Sequence, residues 1–185
     1  MKLNEPEFID SAKTEFTIKK CTTPLLLKNF KSLFPNELKA LIDQNGDENI
    51  GCLNDDNKTP LYLILCWRQT KLPMSGFSSA TDEEREEKSL FFIETASNFC
   101  NIVKENGYWS DFIDPLSGVP YINRDNANSV FVPTDSVQMM GIDIIDVGCC
   151  QVMIHPTWKV RSFFSIMIST APFEIIDNSL HQINN

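Results

Sequence analysis

Leu61-Tyr-Leu-Ile-Leu-Cys-Trp67 is an unbroken apolar run of strand length. It lies between an Asn-, Asp- and Gly-rich stretch at 44–58 and a connector rich in Pro, Gly and Ser at 71–80. Such a run is too short for an ordinary helix and fits a strand. Side chains alternate across a strand, so one that is apolar at every position has to be covered on both faces. The run therefore predicts the centre of a sheet with a layer packed on each side.

The neighbouring segments supply those layers. Thr23 precedes Pro24, an N-cap followed by a first-turn proline, and Leu26, Phe30, Leu33 and Phe34 recur at helical spacing. This predicts a helix over 24–34, with a short helical piece at 36–43. Thr81-Asp-Glu-Glu84 has capping-box spacing and opens a long helix. Leu90, Ile93, Ala96, Cys100 and Val103 form its expected apolar stripe, widened by Phe92 and Phe99, and Gly107 is placed to end it. Strands are expected at 8–20, 108–113 and 130–132, and again at 142–154 and 160–169. The last two are joined around His155-Pro156-Thr157-Trp158-Lys159 and form an expected antiparallel pair. Residues 123–129 read as a polar loop and 174–185 as a polar tail. The expected class is α+β, with a central, mostly antiparallel sheet and flanking helices. It forms one domain over 1–185, with an ordered core of about 8–171 and a tail at 172–185.

Composition bounds the function. The chain has 185 residues, 42% of them hydrophobic, enough for one sizeable core. A formal charge of −9 and a pI near 4.7 argue against nucleic-acid or anionic-membrane partners, which call for a basic surface. No apolar stretch reaches the ~18 residues of a membrane span. The N-terminus has neither a signal-peptide core nor the Arg-rich character of a transit peptide. A cytoplasmic protein is expected, and its six cysteines are then free thiols.

Cys149 and Cys150 stand side by side after Gly148, within Asp146-Val-Gly-Cys-Cys-Gln-Val-Met-Ile-His-Pro-Thr-Trp158. Adjacent Cα atoms are ~3.8 Å apart, below the ~4.4–6.8 Å of a relaxed disulfide. If the strand is continuous, the two thiols point to opposite faces. Cys150 then shares the core side with Val152 and Ile154. Cys149 shares the more polar side with Gln151 and His155, and Gly148 leaves room for close approach. A Cys149–His155 nucleophilic pair fails on distance, roughly 20 Å along a strand. Two histidines and no Cys-x-x-Cys make a structural zinc site a poor fit. The residues leave two readings open: a pair of packed cysteines, or one soft thiolate that completes the coordination of a transition metal carried by a cofactor.

Other candidates are weaker. Asp111 and Asp114 could form a carboxylate pair, but the expected roles are structural, Asp111 facing solvent or capping and Asp114 opening the turn before Pro115. No Gly-rich phosphate loop occurs. His155 and Trp158 flank a proline turn and are candidates for contact with a partner, as is Gly148.

Three stretches carry a resemblance. Lys28 to Pro35 (KNFKSLFP), Asn106 to Ser117 (NGYWSDFIDPLS), and Gly148-Cys149-Cys150 followed by Val152, His155 and Trp158 resemble the methylmalonic aciduria and homocystinuria type D family, in order from about Phe8 to Ala171. The resemblance implies a nitroreductase-like scaffold without bound flavin and without catalysis of its own. It implies an adaptor that binds the type C cobalamin-processing protein and directs cobalamin towards methionine synthase, or towards methylmalonyl-CoA mutase in mitochondria. No cofactor is then bound by the chain alone, and cobalamin is shared in the complex. The first cysteine of the Gly-Cys-Cys motif, Cys149, is implied to give its thiolate to the cobalt. Longer members carry an N-terminal extension with mitochondrial targeting information, whereas this chain begins almost at the folded domain, so the cytosolic role is the expected one. The competing expectation is a flavin-dependent, nitroreductase-like oxidoreductase.

Overall fold

The computed structural model of the chain describes residues 7–9, 13–39, 59–133, 139–148 and 151–183. Residues 36–38 of the expected helical piece form a turn, in which the Leu38 amide donates to the Phe34 carbonyl at 3.0 Å, while 40–43 and the acidic loop at 44–58 lie outside the described residues.

Leu61–Trp67 does form the middle of a sheet. Strand β3 (Tyr62–Gln69) is the third of five, in the order β1 (Glu7–Ile9), β2 (Thr14–Lys20), β3, β7 (Ser162–Ser169), β4 (Ser110–Phe112). Every pairing is antiparallel. The alternation of β3 divides the core in two. Leu63, Leu65 and Trp67 join one cluster with Ile166 and Ile168, against helix α1 (Pro24–Leu33) and its Leu26, Leu27, Phe30 and Leu33. Ile64 and Cys66 join the other with Met167 and Phe112, against helices α2 (Ser79–Glu105) and α3 (Phe173–Gln182). Each large side chain buried in this way contributes roughly 1.5–3 kcal/mol relative to exposure.

Several boundaries differ from expectation, each for a local reason. The N-terminal strand is a hairpin: Glu7 pairs with Phe16 and Ile9 with Thr14, and Lys13 takes φ +50° before β2. Helix α2 starts earlier than Thr81. Ser78 is its N-cap, accepting from the Thr81 amide at 3.2 Å. Glu84 closes no capping box; it is buried and accepts from the Lys71 and Leu72 amides at 2.7 and 2.8 Å. Leu90 lies 61% exposed, so the buried face of α2 is carried by Phe92, Ala96, Phe99, Cys100 and Val103. Gly107, at φ +83°, ends the helix as expected, and the Tyr108 amide reaches back to the Val103 carbonyl.

Phe131 forms no strand. Its amide donates to the Gly118 carbonyl at 2.6 Å and its ring stacks on Phe30 at 5.4 Å. The expected tail is largely helix α3, which buries Ile176 and Leu180 and packs Phe173, Ile175 and Ile183 beside them. One apolar stripe is enough to dock a short helix, however polar its other positions are.

Candidate functional site

The largest departure concerns 142–154, expected as one strand paired with 160–169. It folds instead as a separate ribbon, β5 (Asp143–Asp146) against β6 (Gln151–Ile154), while β7 runs in the main sheet. Asp146 opposes Gln151 across the ribbon. Just past β5 the backbone carries turn chemistry: the Gly148 amide donates to Asp146 Oδ1 at 2.8 Å, with Gly148 at φ +90°. A Cβ at Gly148 would meet nothing within 4 Å, so this glycine serves the backbone conformation rather than a close contact.

Cys149 and Cys150 lie outside the described residues. Their expected split across a strand lies outside the described residues with them. The face assignment is also corrected. Met153 and its partner Ile144 pack on the core, whereas Val152 opposes Ile145, which is 36% exposed. Gly148 and Gln151, on either side of the cysteines, are both exposed.

His155 was expected at a docking surface, but it is 2% exposed. Its Nε2 stands 3.1 Å from Glu15 Oε2, and its Nδ1 accepts from the Thr157 and Trp158 amides at 3.2 and 3.1 Å. Trp158 stacks on the imidazole at 4.1 Å and Trp67 meets it edge-on at 5.4 Å. The turn is closed by reciprocal backbone bonds between His155 and Lys159. His155 therefore belongs to the support of the ribbon, and the half-buried Trp158 covers it.

The other described thiols are sealed. Burial pushes Cys21, Cys66 and Cys100 up to about 12, against partial relief from the Thr23 backbone, Ser165 with Arg68, and Ser110 respectively. None of these supplies a thiolate near neutral pH.

Asp111, expected in solvent or at a cap, is fully buried. Its oxygens accept from the amides of Phe112, Ile122 and Asn123 and from the Asn123 side chain, at 2.7–3.0 Å. It clamps the 119–126 loop against β4, with no geometry shared with Asp114, which caps the turn through the Leu116 and Ser117 amides. No helix among the described residues is long and apolar enough to cross a membrane.

A family model described as methylmalonic aciduria and homocystinuria type D protein matches residues 2–180. The chain belongs to this family. The cobalamin trafficking protein CblD of Homo sapiens is 31% identical over 151 residues, which are 82% of this chain and 44% of that protein. The proteins of the same name from Mus musculus and Gallus gallus are 30% and 29% identical, over 82% and 84% of this chain. This type D chain spans less than half the length of those curated relatives, 44–46% of each. The family match runs through the ribbon, its tip and the His155 turn.

Proposed function

We propose that this chain is a cobalamin-trafficking adaptor without catalysis of its own, which presents the Cys149 thiolate to the cobalt of cobalamin held by the type C processing protein. The observation that carries this reading is the family match over residues 2–180, joined to relatives named for cobalamin trafficking. Three features of the chain support it. In the sequence Cys149 stands between Gly148, just past β5, and Gln151, the start of β6, both of them exposed. The buried thiols of Cys21, Cys66 and Cys100 are held away from the thiolate form, which leaves such chemistry to cysteines elsewhere. A soft sulfur donor also suits a transition metal already caged by its macrocycle.

In this reading Gly148 lets the partner approach the tip closely and Trp158 forms part of the flank it meets. The scaffold is a flavin-free relative of the nitroreductase fold. The complex works in the cytosol and passes cobalamin towards methionine synthase, with methylmalonyl-CoA mutase as the other destination.

The test is the visible spectrum of this protein mixed with cobalamin on its processing partner. A cobalt–thiolate absorption change is expected with the wild-type chain and with Cys150→Ser, and not with Cys149→Ser. Its persistence in Cys149→Ser, with the variant folded, removes the assignment of the ligand.

A further inference from the structure

The excursion between β4 and β5 carries an edge that no described part of the chain pairs. Phe131 is 6% exposed and stacks on Phe30, whereas Val130 and Val132 on either side of it are 56% and 44% exposed. That alternation is the mark of an extended segment. One of its edges is occupied: the Phe131 amide donates to the Gly118 carbonyl, and a Cβ at Gly118 would stand 2.8 Å from the Phe131 carbonyl oxygen. Backbone groups alternate along an extended chain too, so those of Val130 turn to the other edge. Among the described residues they meet no backbone partner. An open edge flanked by bare apolar side chains is a template for another strand.

Between this segment and α1 lies a cavity of about 230 Å³, walled on the helix side by Asn29, Ser32 and Leu33. It is smaller than the ~300–1,000 Å³ of a usual small-molecule or cofactor pocket, and suits a side chain of a peptide. The frame is set before anything binds. Asp111 clamps Ile122 and Asn123, and the Asn128 amide donates to the Ser32 carbonyl at 2.9 Å. Charge selects the occupant. The chain carries −9 overall, yet α1 holds Lys28 and Lys31 and no acidic residue, and the exposed Lys28 stands next to Asn29 of the cavity wall. An acidic segment complements that rim, whereas a second copy of the chain would bring its own excess of negative charge against the first.

We propose that residues 130–132 are a docking edge for an extended peptide segment of a partner protein, one that alternates apolar and acidic residues. The peptide backbone pairs with Val130, an apolar side chain enters the cavity beside Ser32 and Leu33, and the carboxylates face Lys28. The edge serves with or without cobalt ligation at Cys149, so the two readings stand or fall separately.

The test uses the full chain and three sets of fluorescent decapeptides, in which apolar residues alternate with acidic, basic or uncharged polar ones. The acidic set should bind about tenfold or more tightly than the basic set, and should shift the amide resonances of 129–132 and of 29–33 while leaving those of β6 in place. Val130→Pro removes the N–H that pairs. Val130→Glu keeps it, sets a carboxylate against an acidic peptide, and changes an exposed side chain that folding does not need. Each should weaken binding about tenfold or more, with the β3 amides as protected from exchange as in wild type. Lys28→Glu should reverse the preference between the acidic and basic sets. The proposal is overturned by the absence of peptide binding, by binding that both Val130 variants leave unchanged, by shifts that map elsewhere, or by a charge preference that Lys28→Glu does not alter. It is overturned as well if the chain alone sediments as a dimer that both Val130 variants dissolve, which gives the edge to a second copy. Cys149→Ser should bind the acidic set as wild type does, whatever becomes of its cobalt–thiolate band; a loss of peptide binding there places the peptide at the ribbon and overturns the docking edge.

Discussion

The β3–β7 pair and the β5–β6 ribbon are both antiparallel, yet different forces hold them. Eight residues of β3 pair with eight of β7, and the first six of β3 are buried between two apolar layers. The ribbon pairs four residues with four, exposes one side, and is held at its open end by the Lys19 and His155 contacts and by the buried Met140 and Ile142. A sheet covered on both faces owes its stability to many small apolar contacts, none decisive. The ribbon owes its placement to fewer contacts, apolar at Met140, Ile142, Ile144 and Met153 and polar at Lys19 and His155.

The sharpest contrast is in thiol chemistry. With pKa values pushed to about 12, Cys21, Cys66 and Cys100 hold about a thousandfold less thiolate than an unshifted thiol at pH 8. Mass mapping after alkylation of the native chain should find these three unmodified and Cys149 modified; equal labelling would erase the distinction between the two regions. The same shifts set a pH dependence. The folded state keeps protons that the unfolded chain releases above pH ~9, so this stabilisation is complete below pH 9 and is lost as pH rises towards about 12. The denaturation midpoint should fall steadily between pH 9 and 11.

Within the core, Phe112 lies fully buried, 5.6 Å edge-on from Phe92 and 4.6 Å from Tyr121. Phe112→Ala should cost about 3–5 kcal/mol in chemical denaturation, because the cavity lies between packed layers. A loss below about 1 kcal/mol would mean that this side of the sheet collapses freely around the gap.

The smallest effect belongs to the Lys19 contact at the open end of the ribbon. Gly141 has φ +69°, and a Cβ there would stand 2.9 Å from Lys19 Nζ. Gly141→Ala should cost about 1–2 kcal/mol, through left-handed strain and a displaced lysine, and should speed amide exchange in β5 while β3 stays protected. Uniform acceleration would show that ribbon and sheet open together.

The main sheet was legible because its signals are local and redundant. Leu61–Trp67 is apolar at every position, Thr23-Pro24 opens α1, and Gly107 closes α2, each through chemistry carried by a few neighbouring residues. The ribbon misled because its apolar residues run on past Asp146-Val147-Gly148, a turn signal that was read as room for a ligand. Pairing partners are not written locally either: β6 and β7 are neighbours in sequence and lie in different sheets. Helix α3 was missed because Asp177, Asn178, His181 and Gln182 are interleaved with the Phe173, Ile175, Ile176 and Leu180 that dock it.

Residue types and their spacing alone were enough for the class of fold, the central strand and helices α1 and α2, which follow from periodicity and turn chemistry acting over a few residues. The family came from the resemblance of its motifs. What lies far apart in the chain was decided only when it folded: Glu15 reaches His155 across 140 positions, Lys19 reaches Met140 across 121, and Asp111 is sealed under a loop that begins beyond its own turn. Burial and hydrogen bonding are properties of a closed surface, and a residue acquires them from partners that its neighbours in sequence do not name.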